Sequence, residues 1–163
     1  MDILAAQVGG ALKAHGLLLA TAESCTGGGV AQAITAIAGS SAWFERGFIT
    51  YSNLSKQQML GVAEATLIAH GAVSEAVVRA MVAGALEQSG AQVGLAVSGI
   101  AGPDGGTPDK PVGTVWFAWG IEHGATFARV HQLQGNRAEV RAQAVHIALQ
   151  GVLELLQQTA SAA

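Results

Sequence analysis

The residues best suited to chemistry lie where a short apolar run ends in a glycine-rich turn. Residues 17–22 have the composition of a buried strand, and the chain continues as Glu-Ser-Cys-Thr-Gly-Gly-Gly at 23–29. Ser24 and Cys25 are both potential nucleophiles. A helical apolar pattern begins at Val30, which predicts unpaired N–H groups and a positive dipole end at the same turn. The junction therefore predicts a site for an anion or an oxyanion, with a turn that only caps the helix as the alternative.

A serine at this turn needs a neighbouring base to take its proton. The chain has five histidines, and no spacing brings one of them beside the turn or forms a metal-binding pair. Lys56 falls in the first turn of a short predicted helix capped by Asn53, where the helix dipole would lower the pKa of a lysine. Such a lysine could act as the general base for Ser24. A cysteine amidohydrolase that uses Cys25 stays open, because the same dipole would activate a thiolate.

A second candidate segment is the Gly/Pro loop of residues 99–113, which contains every proline of the chain. Ordinary connections in α/β domains span roughly 2–6 residues, so a longer loop is typically a binding loop or a disordered insert. Glycines let backbone N–H groups approach a ligand, and prolines lower the cost of ordering the loop. The loop and the Ser24 turn both follow predicted parallel strands. We therefore expect them at the same edge of the sheet.

Helices and strands alternate along the chain. The spacing predicts helices over 3–14, 30–37, 53–59, 75–88 and 136–157, and strands over 17–22, 43–51, 92–97, 114–121 and 125–133. Ser74 and Asn136 are placed to cap the last two helices. The last two strands, separated by His123-Gly124, form a predicted antiparallel hairpin. Strands joined by helices predict a three-layer α/β/α sandwich with a mixed, mostly parallel sheet of about five strands, and a single domain over 1–163.

Composition excludes several classes of protein. The single cysteine rules out an intramolecular disulfide and a cysteine-cluster metal site. A net charge of −3 and the lack of a Lys/Arg run argue against a nucleic-acid partner. No apolar run approaches the roughly 18 residues of a membrane span, and no secretory pattern opens the chain, so we expect no membrane partner and a cytoplasmic location. The P-loop and the Gly-x-Ser-x-Gly elbow are also absent.

Six strings of the chain are long and unusual, and they lie at residues 22–28, 39–47, 51–56, 70–74, 98–106 and 110–115. These strings resemble one family, the C-terminal domain of CinA proteins, and within it the stand-alone amidase form. The resemblance covers about residues 5–150. It also implies that the N-terminal domain of full-length CinA proteins is absent here.

The resemblance implies that the chain hydrolyses the carboxamide of nicotinamide mononucleotide to nicotinate mononucleotide and ammonia, in pyridine-nucleotide (NAD) recycling. It implies no metal and no other cofactor. The nucleophile of the family falls on Ser24 and its lysine partner on Lys56, a Ser-Lys dyad that forms an acyl-enzyme which water then cleaves. A non-catalytic nucleotide-binding or regulatory module is the alternative from another class. The oligomeric state stays open, and a homo-oligomer is compatible with the sequence.

The remaining site residues are expected from their positions. Tyr51 and Asn53 precede Lys56 closely enough to orient it or to contact substrate. Arg137 at a helix start and Arg141 one turn further are the candidate ligands of the substrate phosphate, with surface ion pairs to acids such as Glu139 as the alternative. The backbone groups expected to hold the oxyanion belong to Thr26, Gly27 and Gly28. The loop residues expected to line the substrate pocket are Gly99, Ile100, Ala101 and Gly102.

Overall fold

The fold is a sheet with helices on both faces. The computed structural model describes the backbone of residues 1–162 and the side chains of 1–159. The helices are α1 (Asp2–His15), α2 (Gly29–Thr35), α3 (Asn53–Leu60), α4 (Glu64–His70), α5 (Glu75–Gln88) and α6 (Arg137–Ala162), with a short 3-10 helix at Ser40–Ala42. The strands are β1 (Leu19–Glu23), β2 (Phe44–Ile49), β3 (Val93–Gly99), β4 (Thr114–Ile121) and β5 (Thr126–Gln132).

The five strands lie in the order β2-β1-β3-β4-β5. Strand β1 pairs in parallel with both β2 and β3, while β4 is antiparallel to β3 and to β5. Four strands therefore run in one direction and only β4 opposes them, which confirms the predicted mixed, mostly parallel sheet. The chain leaves β1 toward β2 on one side and returns to β3 on the other. In such sheets this switch point, beyond the carboxyl ends of β1 and β3, is where ligands bind.

Three helices cover each face of the sheet, which confirms the predicted three layers. Helices α1, α2 and α6 pack on the face that carries the larger strand side chains, among them Leu95, Phe117 and Trp119. Helices α3, α4 and α5 cover the face on which the central strands carry alanine, as at Ala96 and Ala118. Small side chains on that face let α5 lie close to the strands, and the larger ones fill the opposite layer.

The start of α3 differs from the prediction by one residue. Ser52, rather than Asn53, is the N-cap: its Oγ accepts from the Ser55 N–H at 3.0 Å, and the Ser55 Oγ accepts from the Ser52 N–H at 3.1 Å. This reciprocal pair is a capping box with serine in place of the usual acid. Asn53 is then the first helical residue, and Lys56 stays within the first turn.

Two further differences concern elements with weak local signals. Helix α4 was not predicted, because it has seven residues and buries only Leu67, too little for a periodic pattern. Helix α6 also continues to Ala162, beyond the predicted end near 157.

Helix α3, which carries Lys56, is held against α5 at a glycine. A Cβ built at Gly84 would overlap the carbonyl oxygen of Leu60, the last residue of α3. The overlapping atom belongs to the backbone, so it cannot move by a change of side-chain rotamer. Gly84 therefore sets how closely the helix with Lys56 approaches the rest of the fold.

The variant Gly84→Ala should lower the free energy of unfolding by about 1–3 kcal/mol, because α3 must shift to accept the new methyl group. Urea unfolding measures this change. Gly10→Ala is the matched control: it lies in the exposed part of α1, nothing lies within 4 Å of its added Cβ, and it should gain about 0.5–1 kcal/mol. A Gly84→Ala protein as stable as the wild type would contradict this account of the helix contact.

Candidate active site

The structure brings the side chains of Ser24 and Lys56 into contact. The Lys56 Nζ lies 3.0 Å from the Ser24 Oγ and 3.0 Å from the carbonyl oxygen of Thr50. Both side chains are buried, with 7 % of Ser24 and 1 % of Lys56 exposed. A buried lysine without a carboxylate partner is rare, because taking its charge out of water is costly. The pair therefore points to chemistry rather than to structural stabilisation.

The ends of the parallel strands position this pair. The Ser24 N–H donates to the Val97 carbonyl at 3.0 Å, which extends the pairing of β1 with β3. The Thr50 N–H donates to the Glu23 carbonyl at 2.8 Å, which extends the pairing of β1 with β2. Because Ser24 and Thr50 are both fixed by the sheet, the amine of Lys56 meets two oxygens held on a rigid framework.

Burial lowers the pKa of Lys56, and the nearby Cys25 opposes this shift weakly. The direction of this pKa shift agrees with the prediction, and its main cause is burial of the amine, which the sequence analysis did not invoke. A neutral amine has one lone pair and two N–H bonds. It can donate to the Thr50 carbonyl while its lone pair accepts the hydroxyl proton of Ser24, so the observed geometry suits a general base.

The thiol of Cys25 lies in a different environment. Only 6 % of Cys25 is exposed. Burial raises the pKa of the Cys25 thiol to about 11, more than the opposing effects of backbone N–H groups and of Arg141 lower it. At neutral pH the sulfur is therefore protonated, and a thiol is a much weaker nucleophile than a thiolate. This argues against the cysteine alternative.

The N-terminus of α2 is not open to a ligand as the sequence suggested, because Glu23 occupies it. The carboxylate of Glu23, 1 % exposed, accepts from the Val30 N–H at 2.8 Å, the Ala31 N–H at 3.1 Å and the Thr26 hydroxyl at 2.6 Å. A carboxylate at a helix N-terminus is stabilised by the dipole and by these donors. The protein thus satisfies this helix end with its own anion.

The three residues expected to supply oxyanion N–H groups differ in their availability. The Gly27 N–H donates to the Ser24 carbonyl at 3.0 Å and is therefore committed within the turn. The N–H groups of Thr26 and Gly28 both lack a hydrogen-bond acceptor in the part of the chain that the structure describes, and neither residue is among those that line the cleft described below. Gly28 is the N-cap of α2. Thr26 shares its peptide group with Cys25, which does line the cleft, so the Thr26 N–H is the better placed of the two.

A cleft of about 240 Å³ opens above Ser24 and Lys56. The cleft lies between the ends of β1, β2 and β3, the position that the sheet topology favours. Ile100 and Gly102 belong to the adjoining loop but are not among the lining residues, and neither is Arg141. Cys25, the alternative nucleophile, also lines the cleft. The other predicted residues that line it are Tyr51, Asn53, Gly99, Ala101 and Arg137.

Arg137 connects the loop at 99–113 to Tyr51, which lines the cleft. Its Nη1 donates to the Gly102 carbonyl at 2.7 Å, and its Nη2 donates to the Tyr51 hydroxyl at 3.2 Å. The alternative pair with Glu139 does not form, because Glu139 accepts from the Asn136 N–H at 3.0 Å in the capping box of α6. Arg137 therefore presents a cation at the cleft, next to the start of a helix.

Arg141, one turn further along α6, reaches a different place. Its Nε donates to the Cys25 carbonyl at 3.1 Å and its Nη2 donates to the Thr26 carbonyl at 3.2 Å. The guanidinium contacts the nucleophile turn from the α6 side. Because Arg141 does not line the cleft, its expected role as a ligand of the substrate has no geometric support.

The sequence reasoning missed several residues of the site. Ser98, Ala72 and Val73 line the cleft, and Lys110 donates to the His70 carbonyl at 2.7 Å, which ties the 99–113 loop to the end of α4. Ser98 follows the predicted strand at 92–97, so the strand-end argument that found Ser24 could have found it. Ala72 and Val73 have no functional groups, and only the tertiary structure identifies them.

The described residues offer neither a metal-binding cluster nor a helix that could span a membrane. Within 1–162, no group of three or more His, Cys, Asp or Glu side chains is arranged to hold a metal ion. Over the same described part of the chain, no helix has the length and apolar character needed to traverse a bilayer.

The fold and the site together define a doubly wound α/β domain with a buried serine–lysine pair at its switch point. The family model of the CinA C-terminal domain matches residues 1–156. The chain belongs to this family. It is 59 % identical over 147 residues to nicotinamide-nucleotide amidohydrolase PncC of Escherichia coli, covering 90 % of this chain and 89 % of that protein.

Two further relatives agree with this assignment. The nicotinamide-nucleotide amidohydrolase PncC of Pseudomonas putida is 54 % identical over 152 residues, which covers 93 % of this chain and 94 % of that protein. The crystal structure of the competence/damage inducible protein CihA from Agrobacterium tumefaciens superposes with a TM-score of 0.92 at 43 % identity, covering 94 % of each chain.

Replacing Lys56 by methionine should change how stability depends on pH. Burial lowers the pKa of Lys56 below its ordinary value of 10.5, so between these two values the unfolded chain binds more protons than the folded one. The free energy of unfolding of the wild type therefore gains a rising contribution with pH in this window, and Lys56→Met lacks it. Urea unfolding from neutral pH to about pH 10 measures the difference between the two proteins.

The exposed Lys13 of α1 provides the matched control, because Lys13→Met should keep the wild-type pH dependence. The raised pKa of Cys25 contributes in the opposite direction, but it is present in all three proteins and cancels in their differences. Identical pH slopes for the wild type and Lys56→Met would contradict the buried, neutral amine.

Proposed function

We propose that the chain is a nicotinamide-nucleotide amidohydrolase, an enzyme that hydrolyses the carboxamide of nicotinamide mononucleotide to the carboxylate and ammonia, with Ser24 as nucleophile and Lys56 as base. The observation that carries the proposal is the buried contact of 3.0 Å between the Lys56 Nζ and the Ser24 Oγ at the floor of a cleft. The names of the two PncC relatives, each more than half identical to this chain over 90 % or more of its length, supply the substrate class.

The reaction begins when the Ser24 Oγ attacks the carboxamide carbon. The neutral amine of Lys56 accepts the hydroxyl proton, and the resulting ammonium returns a proton to the departing nitrogen, which leaves as ammonia. Water then attacks the acyl-enzyme with Lys56 again as base, which frees Ser24 and the carboxylate product. The first proton transfer, from the Ser24 hydroxyl to the Lys56 amine, needs only the hydrogen-bond distance already present between the two side chains.

The tetrahedral intermediate places a negative charge on the former amide oxygen. A donor that already points to that position stabilises the charge without reorganisation. The Thr26 N–H is the candidate, because it lies two residues beyond the nucleophile and has no acceptor within the described residues. The N–H groups of Gly27 and Gly28 have no such role in this proposal.

The cation of Arg137 is the candidate for the phosphate of the nucleotide. It lies at the first position of α6, where the helix dipole also favours an anion. Its contacts to the Gly102 carbonyl and the Tyr51 hydroxyl hold it at the rim of the cleft. Tyr51 and Asn53 then border the substrate, with Gly99 and Ala101 on the loop side.

Removing the nucleophile tests the assignment. Ser24→Ala should reduce ammonia release from nicotinamide mononucleotide by at least about 10³-fold, because both the nucleophile and the acyl-enzyme are lost. Cys25→Ala is the comparison and should keep turnover, since its buried thiol is protonated. An active serine variant with an inactive cysteine variant would reverse the assignment. Nucleotide binding by the pure wild type without any turnover would instead indicate a binding module.

The pH dependence of kcat tests the role of Lys56. Because only the neutral amine accepts the proton of Ser24, kcat should rise with pH through the pKa of Lys56 and reach its plateau below the ordinary lysine value of 10.5. Initial rates of ammonia release across the pH range measure this rise in kcat. Lys56→Arg should lack activity at every pH because guanidinium stays charged.

A chelator should leave the rate of ammonia release unchanged, and strict metal dependence would count against the Ser24–Lys56 dyad.

A further inference from the structure

We propose that Arg141 is a positioning residue for the oxyanion site: it fixes and polarises the peptide between Cys25 and Thr26, so that the Thr26 N–H faces the developing negative charge. This inference rests on the proposed function and deepens it. It replaces the expectation that Arg141 binds the substrate phosphate.

The orientation follows from the geometry of a trans peptide. The C=O and N–H of one peptide group lie in a plane and point in opposite directions. The Cys25 carbonyl points at the Arg141 Nε on α6, at a distance of 3.1 Å. The N–H of the same peptide belongs to Thr26 and therefore points away from α6. The Thr26 N–H has no acceptor among the described residues, and Thr26 is only 1 % exposed; such a buried, unpaired N–H is unusual and calls for a functional explanation.

The turn is built to accept the guanidinium closely. A Cβ at Gly27 would lie 3.3 Å from the Arg141 Nη2, and the φ of Gly27 is +59°, a conformation that favours glycine. On the other side, the Thr26 hydroxyl donates to the Glu23 carboxylate at 2.6 Å. The Arg141 guanidinium thus holds the backbone of Thr26 and the Glu23 carboxylate holds its side chain, so the direction of the Thr26 N–H is fixed.

The guanidinium also changes the strength of the donor. A cation hydrogen-bonded to a carbonyl draws electron density from the peptide, which makes the N–H of that peptide a better donor in a low-dielectric site. The effect increases as negative charge develops on the substrate oxygen, so it favours the transition state over the bound substrate. Loss of Arg141 should therefore lower kcat more than it raises KM.

Steady-state kinetics on nicotinamide mononucleotide test this role. Arg141→Met should lower kcat by about 10- to 100-fold, less than or equal to the loss of a whole oxyanion donor, with KM nearly unchanged. Arg141→Lys keeps a cation and should recover part of kcat. Arg79→Met is the control, because Arg79 lies on α5 and pairs with Glu75 at 2.8 Å, outside the cleft. An increase in KM at constant kcat would overturn the proposal in favour of phosphate binding.

A spectroscopic readout separates this inference from the proposed function. In protein labelled with 15N-threonine, the Thr26 amide proton should shift upfield in Arg141→Met and stay in place in Arg79→Met, while the other threonine amides show that the fold is kept. This shift needs no turnover. An unchanged Thr26 amide in Arg141→Met would overturn the role of Arg141, whereas the expected shift in that variant together with no ammonia release by the wild type would overturn only the proposed function.

Discussion

The site depends on a lysine amine held out of water without a carboxylate beside it. Burial makes the charged form of Lys56 costly, and the Thr50 carbonyl and the Ser24 hydroxyl satisfy the neutral form. Had the fold placed an acid in this position, the amine would have stayed protonated and the serine inert. Lys56 therefore lacks the stabilisation that an ion pair could give, and its neutral amine can act as a base, which is common at catalytic sites.

The sheet provides the rigidity that this arrangement needs. Ser24 and Thr50 continue the hydrogen-bond ladders of β1 with its two neighbours, so their oxygens are fixed by backbone rather than by loop packing. The lysine comes from the first turn of α3, whose far end is placed by the contact of Leu60 with Gly84. A displacement of that helix would separate the amine from the hydroxyl, and proton transfer is sensitive to such small distances.

Local patterns predicted the layers, most of the elements and both members of the serine–lysine contact, because residue type, turn chemistry and strand ends are local properties. They did not predict the partners of the two arginines. Arg137 and Arg141 share a helix face by spacing, yet Arg137 contacts Tyr51 and Arg141 contacts the turn at Cys25. Those partners are distant in sequence, so helix periodicity alone could not distinguish the roles. The cap of α3 was misplaced by one residue for a local reason, because Ser52 and Asn53 are both residue types that cap helices.

The most instructive difference concerns Glu23. Side chains alternate along a strand, so Glu23 and Ser24 leave the end of β1 on opposite faces. Glu23 points toward α2 and fills its N-terminus, while Ser24 points toward Lys56. Because the protein's own carboxylate neutralises the helix dipole, that dipole is poorly suited to stabilise a second negative charge on the substrate. The stabilisation must then come from the turn itself, which gives a physical reason for a cation behind the peptide of residues 25 and 26.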